Sequence, residues 1–351
     1  MTNLALTKFS AINLANPFFD SLKADYKEFP AWFKKKADQG ESAYLYKTKK
    51  LVGFLYVKVE DGEVQDIDPP LKNGVHLKVG TMKIEAHGTK LGERFIKKIF
   101  DHAFEVKADD AYVTVFAKHE SLIDLYTRYG FEPYAVKNGP NGQEMVLLKS
   151  FHSVKNDILF DYPRIQPDDV TIGLLAIYPA YHSKFLPDSI LKTEHFSILD
   201  DVSHANSIHK IYLSGIPATG KLKRGDLLVM YRTSDGKGPA LYRSVATSIG
   251  VVEETRRIKS FVTLSEFMKY ARPYSIFSNE ELETMYATKK HYTMIKFTYN
   301  IALRRRLIRK RLIEDVGLTA GLRRWDFFKL TRQQFDLILE MGQVHESYLI
   351  D

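Results

Sequence analysis

A predicted strand, a glycine-containing turn and an amphipathic helix follow one another between residues 76 and 104, and this order constrains the fold most strongly. Residues 76–86 form an extended run, and residues 87–92 read His-Gly-Thr-Lys-Leu-Gly. Apolar residues then recur at helical spacing, which predicts a helix that packs on a sheet. They are Phe95, Ile96, Ile99, Phe100 and Ala103. Backbone amides at such a turn and helix N-terminus form a cradle for a pyrophosphate group.

A second motif lies at residues 119–131, one predicted helix and one predicted strand after the turn. It reads His-Glu-Ser-Leu-Ile-Asp-Leu-Tyr-Thr-Arg-Tyr-Gly-Phe. Leu125 and Tyr126 end a predicted helix, and Gly130 stands four residues after Tyr126. Together with the turn at residues 88–92, this motif resembles the GNAT superfamily of acetyl-CoA-dependent N-acetyltransferases. The resemblance covers residues 40–150 well and residues 1–39 loosely.

This resemblance implies an N-terminal domain over residues 1–150, with a mixed central sheet and flanking helices, that binds acetyl-CoA as a co-substrate. The implied cofactor-binding residues form one loop: His87, Gly88, Thr89, Lys90, Leu91 and Gly92. Two positions depart from the family pattern. Lys90 stands where the family usually has a glycine, and His87 stands where Arg or Gln is common.

The resemblance also implies catalytic roles. Tyr126 corresponds to the residue that commonly protonates the leaving thiolate, and the alternative is that it only packs against the coenzyme. A backbone N–H of the strand at residues 76–86 would polarise the carbonyl. Glu85 ends that strand and is the first candidate for the base, although it can equally pair with a lysine. His119 is a base, a proton shuttle or a helix cap, and Asp66 and Asp68 are further alternatives.

The pattern changes after a proline-containing stretch at residues 151–169, which we interpret as a linker. Residues 170–351 contain short predicted strands with inserted helices, so the whole chain is predicted to be α+β. The segments 222–232 and 249–253 resemble the EVE and ASCH branch of the PUA-like barrels. This resemblance implies a C-terminal β-barrel with a pocket for RNA or a modified base.

The second half is also the more basic one. The net charge of +8 divides into +2 over residues 1–150 and +6 over residues 151–351. Residues 303–316 combine a basic run with apolar residues at helical spacing, which predicts a basic helix along a phosphate backbone. The candidate nucleic-acid-binding residues are Tyr231, Arg232, Arg243, Arg304, Arg305, Arg309 and Lys310, with Tyr242 as a further stacking candidate. The alternatives are a solvated basic face, an amphipathic helix docked on its own domain and a helix lying on a membrane.

Other classes of site find no support. The chain has no Cys, which excludes disulfides, thiolate metal sites and cysteine nucleophiles. We expect no metal. Residues 215–221 match part of a phosphate-binding loop, but Leu222 follows where Ser or Thr would hold Mg²⁺. The sequence shows neither a signal peptide nor an apolar run that spans a bilayer, so we expect a cytoplasmic protein without a membrane partner.

The leading hypothesis is an acetyl-CoA-dependent N-acetyltransferase. Its acceptor would be an amine on a nucleic acid, such as an aminoacyl-tRNA or a modified base, recruited by the PUA-like domain. One alternative is a small-molecule or protein N-acetyltransferase with an accessory domain. A second is a non-enzymatic nucleic-acid-binding protein with a degenerate GNAT fold. The sequence leaves open the acceptor and the oligomeric state. It also leaves open whether the protein is a toxin, a modification enzyme or a defence factor.

Overall fold

The chain divides into two compact units, each built on one mixed sheet. The computed structural model describes residues 4–85, 88–189, 191, 203–289, 291–319 and 324–350. Residues up to Asp161 belong to the first unit, and described residues from Tyr162 onward form the second. The predicted linker contains this division. The predicted α+β class is confirmed, and no described helix is long and apolar enough to cross a membrane.

The first unit contains a seven-stranded sheet in the order β1-β2-β3-β4-β5-β7-β6. Its strands are β1 (Leu4–Lys8), β2 (Ser42–Lys47), β3 (Leu51–Val64), β4 (Leu71–Ile84), β5 (Asp110–Val115), β6 (Glu132–Gly139) and β7 (Gly142–Ser150). Only β4 and β5 are parallel, and the other neighbours are antiparallel. Residues 4–8 and 132–139 were not predicted as strands.

The helices of the first unit are α1 (Asp20–Asp25), α2 (Phe29–Asp38), α3 (Leu91–Glu105) and α4 (Glu120–Arg128), with 3₁₀ turns at Phe9–Ala11 and Pro17–Phe19. The amphipathic helix predicted after the glycine turn is confirmed as α3, whose predicted apolar face is buried. Residues 17–39 do not form one continuous helix, although Phe18, Leu22, Tyr26 and Phe29 stand at helical spacing. The chain leaves the helical conformation at Tyr26, so two short helices form there instead.

The second unit contains a six-stranded sheet in the order β13-β8-β10-β11-β12-β9. Its strands are β8 (Ile172–Ile177), β9 (His209–Ser214), β10 (Leu227–Arg232), β11 (Val245–Arg257), β12 (Thr293–Ile308) and β13 (Phe327–Leu330). β8 and β10 are parallel. The predicted closed barrel is not observed, because β13 and β9 remain the two edges of the sheet in the described part of the chain.

Short helices surround the second sheet. They are α5 (Pro179–Phe185), α6 (Ser203–Asn206), α7 (Ala240–Arg243), α8 (Leu264–Ala271), α9 (Asn279–Thr288), α10 (Arg309–Glu314) and α11 (Arg332–Met341). The 3₁₀ turns are Pro187–Ser189, Pro217–Lys221, Ile258–Ser260 and Glu346–Tyr348. The prediction of helices inserted between short strands in residues 170–351 is confirmed by these elements.

The helix predicted over residues 303–316 is wrong in its first half. Residues up to Ile308 continue β12, and α10 begins only at Arg309. The pairing with β11 shifts between Ala302, opposite Ser248, and Leu307, opposite Ala246. Residues 303–306 therefore form a large bulge of β12. The apolar residues here have the spacing expected of a helix, although no helix forms.

A buried histidine joins three strands at the base of the first sheet. His76 is 3% exposed, and its Nδ1 lies 2.9 Å from both carboxylate oxygens of Asp110. Its Nε2 lies 3.0 Å from the carbonyl oxygen of Gly62 and 2.9 Å from that of Lys72. Both ring nitrogens therefore face acceptors. Burial lowers the pKa of His76, but Asp110 and the two carbonyls outweigh it and raise the pKa above 6.5.

We expect His76→Gln to lower the free energy of unfolding by about 3 kcal/mol at about pH 6, because one partner of a buried charged pair is removed. The raised folded-state pKa means that this contribution is complete below the unfolded pKa and is lost as pH rises through the folded pKa. The deficit of the variant should therefore shrink towards about pH 9. Urea unfolding at both pH values measures it.

The matched control is His152→Gln. His152 also contacts an aspartate, with Nε2 2.9 Å from Asp109, but its side chain is 74% exposed. We expect almost no change in the free energy of unfolding for this variant. An equal deficit of His76→Gln at both pH values would contradict a charged His76 ring.

Candidate active site

The two parallel strands of the first sheet separate halfway along. β4 and β5 pair from His76 with Asp110 to Val79 with Val113, and no pair follows, although β4 continues to Ile84. The edge of β4 beyond Val79 is therefore open towards β5. A cavity of about 840 Å³ occupies this opening and continues between α1, α2 and the β6–β7 turn.

Gly80 causes the separation. The pairing of β3 with β4 shifts there, so that Tyr56 faces Thr81 and Val57 faces Val79. Gly80 is thus the extra residue of a bulge, which bends β4 away from β5. A Cβ at Gly80 would lie 2.7 Å from Cδ1 of Tyr56. Only glycine fits this close approach, and no pattern in the sequence marks Gly80.

The predicted acetyl-CoA loop lies at the same cavity. Gly88, Thr89, Lys90, Leu91 and Gly92 all line it, whereas His87 lies outside the described residues. α3 begins at Leu91, so its first backbone amides lie at this wall. Amides at a helix N-terminus attract anions. The third amide of α3, that of Glu93, donates to the carbonyl of Lys90 at 3.0 Å.

Lys90 adopts a backbone conformation that usually requires glycine. Its φ of 59° and ψ of 26° are left-handed, and it precedes the first residue of α3. Its ammonium lies 3.3 Å from Oε1 of Glu93. Lys90 therefore forms the same turn that a glycine would form at this position. Its Cβ makes this backbone conformation strained.

Gly92 has a packing role. A Cβ there would lie 2.7 Å from Cδ2 of Leu125 in α4. The absence of a side chain lets the first turn of α3 approach α4. This reason differs from the predicted one, which was close approach of the backbone to phosphate.

Tyr126 is fully buried in the cavity wall. Its hydroxyl donates to the sulfur of Met82 at 3.2 Å, and its ring lies edge-on to Phe131 with centroids 4.9 Å apart. Burial raises the pKa of Tyr126 far above its usual range. The hydroxyl therefore stays protonated at neutral pH, directed at a weak acceptor on β4.

Both predicted candidates for the base also line the cavity and have charged partners. Oε2 of Glu85 lies 2.9 Å from the ammonium of Lys50, which is 68% exposed. Nε2 of His119 lies 3.2 Å from Oδ2 of Asp25, and Lys118 contacts the same carboxylate. The structure brings Glu85, His119 and Tyr126 to one cavity, and their catalytic roles stay predictions. Asp66 pairs with Lys137, and neither Asp66 nor Asp68 is among the lining residues.

A group of polar residues at the other end of the cavity carries no signal in the sequence. Glu144 in β7 is 8% exposed and accepts a hydrogen bond of 2.9 Å from the hydroxyl of Tyr26. The amide of Asn141 donates to both oxygens of Glu28, at 2.8 and 2.7 Å. These contacts join the α1–α2 segment to the β6–β7 hairpin. The partners are more than 110 residues apart, so no local pattern marks them.

The predicted nucleic-acid-binding residues of the second unit fall into three environments. Tyr231 and Arg232 are buried, at 1% and 5% exposure, so the ring of Tyr231 does not face solvent. Arg243 binds both oxygens of Asp235 at 2.5 Å. The remaining four, Arg304, Arg305, Arg309 and Lys310, lie at the β12 bulge and the start of α10. Arg304 and Arg305 are exposed, and Tyr242 is the most exposed of the candidate tyrosines.

No family model matches the sequence, and no curated protein matches it. Several solved structures are similar. The ASCH protein of Zymomonas mobilis is 7% identical with a TM-score of 0.32, over 48% of this chain and 94% of its own. Naa50 of Arabidopsis thaliana, in complex with a bisubstrate analogue, is 17% identical with a TM-score of 0.29, over 42% of this chain and 99% of its own.

The N-acetyltransferase PseH of Campylobacter jejuni, in complex with acetyl coenzyme A, is 14% identical with a TM-score of 0.27, over 43% of this chain and 99% of its own. The neighbours are thus N-acetyltransferases and an ASCH protein, matched at low identity and over part of this chain. We draw no functional conclusion from them.

We expect Lys90→Gly to raise the free energy of unfolding by about 1 kcal/mol, because glycine adopts the left-handed conformation without a Cβ clash. Lys90→Ala is the control. It removes the contact with Glu93 but keeps the Cβ, so it should give no gain. Thermal or urea unfolding compares the two variants. An equal gain from alanine would show that the lysine side chain, and not the backbone conformation, causes the cost.

Proposed function

We propose that the first unit is an acetyl-CoA-dependent N-acetyltransferase. The observation that carries the proposal is the opening between β4 and β5, where an unpaired strand edge, the loop before α3 and the hydroxyl of Tyr126 meet at one cavity. Acetyl-CoA supplies a thioester, whose acyl carbon accepts an amine. The residues present fit both ends of such a ligand, with amides for its phosphates and an O–H donor for its sulfur.

In the proposed reaction, the loop at residues 88–92 and the first amides of α3 hold the pyrophosphate. A backbone N–H of β4 beyond Val79 donates to the thioester carbonyl oxygen. Tyr126 turns its O–H from the Met82 sulfur to the thioester sulfur and protonates it as the carbon–sulfur bond breaks. A base accepts the proton that the amine nitrogen releases when it bonds to the acyl carbon.

Glu85 and His119 remain the predicted bases, and Glu144 is a third candidate. Glu144 lies in the cavity wall on the side of α1 and α2, and Tyr26 holds its carboxylate in place. Burial and Glu144 raise the pKa of Tyr26, so its hydroxyl remains a donor to the carboxylate. Glu85, in contrast, is held by Lys50 on its exposed side.

Acetyl-CoA binding tests the proposal. A carboxylate at position 88 should repel the phosphates, so we expect Gly88→Asp to weaken binding at least about tenfold. Gly88 has a φ of 70°, and no atom lies within 4 Å of the position that a Cβ would take, so a small side chain there meets no clash. Titration calorimetry of the full chain measures the affinity, which we expect on the micromolar scale.

Gly88→Asn is the matched control. Asparagine has the shape of aspartate and tolerates the left-handed conformation equally, but it carries no charge. We expect it to bind acetyl-CoA within about threefold of the unchanged chain. The absence of heat with the unchanged chain at about millimolar acetyl-CoA would overturn the proposed function. Equal losses for both variants would assign the effect to backbone conformation.

We further propose that the acceptor amine is attached to a nucleic acid, such as an aminoacyl-tRNA or a modified base, which the second unit recruits. The charge of +6 over residues 151–351 supports this, together with the exposed Arg304 and Arg305. The alternative acceptor is a small-molecule or protein amine. The carboxylates of Glu28 and Glu144 in the cavity favour this alternative, because they attract a compact cation and repel a polyanion.

RNA binding separates these acceptors. We expect the full chain to bind single-stranded RNA with an affinity that falls steeply with salt. Replacing Arg304, Arg305 and Lys310 by Gln should flatten the slope by up to about two units, because each phosphate that a cation neutralises contributes about 0.7 to it. Fluorescence anisotropy across a salt series measures the slope.

The control replaces three exposed lysines of the first unit, Lys27, Lys34 and Lys35, by Gln. It changes the net charge equally and should leave the slope unaltered. Equal slopes for the two triple variants would place RNA binding elsewhere, and a lack of binding at low salt would leave the compact amine as the acceptor.

A further inference from the structure

The sheet side of the cavity in the first unit contains charged residues that the proposed reaction does not use. Lys58 in β3 is paired with Lys78 in β4, and Lys78 is paired with Tyr112 in β5. Paired residues of neighbouring strands point to the same face of a sheet, and so do residues two apart along one strand. Glu60 therefore shares the face of Lys58. All three charged residues line the cavity, so this is the face that borders it.

The carboxylate of Glu60 already has two close partners. Its Oε1 accepts from the ammonium of Lys58 at 2.8 Å, and its Oε2 accepts from the hydroxyl of Tyr112. The ammonium of Lys78 lies 3.9 Å from the same Oε1, which is too far for a hydrogen bond. Lys78 forms no other ion pair with the carboxylates of the described residues. Its side chain is 18% exposed, so solvent screens this charge only partly.

The charges around Lys78 include an excess of cations. Lys137 in β6 also lines the cavity and contacts Asp66, so three ammonium groups accompany two carboxylates here. Burial lowers the pKa of Lys78, and Lys137 and Lys58 lower it further, whereas Glu60 and Asp66 raise it. An anion beside Lys78 would balance the excess charge and offset the lost hydration of the ammonium.

The carboxylates of Glu28 and Glu144 give the opposite end of the same cavity a negative charge. Glu144 lies in β7, and β5 stands between β7 and β4 in the sheet. The opening between β4 and β5 therefore lies between Lys78 and Glu144. Gly80, where this opening begins, is about 7 Å along the strand from Lys78. A group bound by Lys78 would consequently lie next to the proposed position of the thioester.

A small molecule that carries both an amine and a carboxylate matches this distribution of charge. Glu144 attracts its ammonium group, and Lys78 attracts its carboxylate. A singly charged anion balances the one excess cation, whereas an amine without an anion leaves the excess uncompensated. A polyanion would instead bring further negative charge towards Glu28 and Glu144.

We infer that the acceptor of the proposed acetyl transfer is a compact zwitterion, such as an amino acid, whose carboxylate binds Lys78 and whose amine faces Glu144 across the opening. This inference rests on the acetyl transfer proposed for the first unit. It specifies the small-molecule acceptor, and it requires no nucleic acid.

Pairs of acceptors that differ by one carboxylate test the inference. They are β-alanine with ethylamine, 4-aminobutanoate with propylamine, and lysine with 1,5-diaminopentane. Release of the coenzyme thiol from acetyl-CoA measures transfer, and the chain itself adds no thiol, because it has no Cys. We expect kcat/KM to be at least about tenfold higher for the amino acid of each acetylated pair.

Replacement of Lys78 should remove this preference. We expect Lys78→Gln to raise KM for the amino acid at least about tenfold and to leave kcat/KM for the simple amine unaltered. Lys78→Arg keeps the charge and should retain the preference, which separates the loss of charge from a folding defect. Lys72→Gln is the matched control, because Lys72 is an exposed lysine of β4 that is not among the lining residues. It should leave the preference unchanged.

Equal acetylation of both members of every pair would overturn the inference and leave the acetyltransferase proposal intact. A preference that survives in Lys78→Gln, or that Lys72→Gln removes equally, would also overturn it. If no compound is acetylated, titration calorimetry of the unchanged chain with the three amino acids, in the presence of coenzyme A, decides. Binding that Lys78→Gln weakens would support the carboxylate site without the transfer, and an absence of heat would overturn the inference.

Discussion

The first unit depends on where two parallel strands stop pairing. From His76 to Val79, β4 binds β5 along its edge, and the buried ion pair of His76 with Asp110 holds the strands together at that end. Beyond Gly80 the strands separate, because a bulge bends β4 and leaves its edge open. The cavity, the helix N-terminus beside it and the buried hydroxyl of Tyr126 all lie at this separation. A regular strand in place of the bulge would extend the sheet and remove the opening.

Much of this arrangement could be predicted from the sequence, because it depends on local patterns. The sequence indicates the strand before the turn, the amphipathic helix α3 and the Leu-Tyr end of α4. In each case the spacing of the residues depends on that element alone and not on its neighbours in the fold. The separation at Gly80 could not be predicted, because it depends on the ring of Tyr56 in the neighbouring strand. The contact of Tyr26 with Glu144 could not be predicted for the same reason, since the two residues meet only in the folded protein.

In the basic run of the second unit, apolar residues at helical spacing predict a helix that does not form over residues 303–308. Leu303 and Leu307 stand four residues apart and are both buried, as on one face of a helix. In the structure Leu303 begins a bulge of β12 and Leu307 resumes the pairing with β11, so the two residues do not belong to one helical turn. Pairing with β11 continues to Ile308 and outweighs the local preference, because each ladder pair satisfies backbone groups of two strands. Arg304 and Arg305 are consequently exposed in a bulge of β12 and do not lie on a helix face.

Both units contain buried polar side chains whose partners come from distant parts of the chain. In the first unit, the buried ring of His76 is bonded to Asp110, and Tyr26 donates to the buried Glu144. In the second, Arg306 and Arg309 each keep a buried N–H without an acceptor among the described residues. A folded chain that leaves charged donors unsatisfied gives up stability that an apolar side chain would retain.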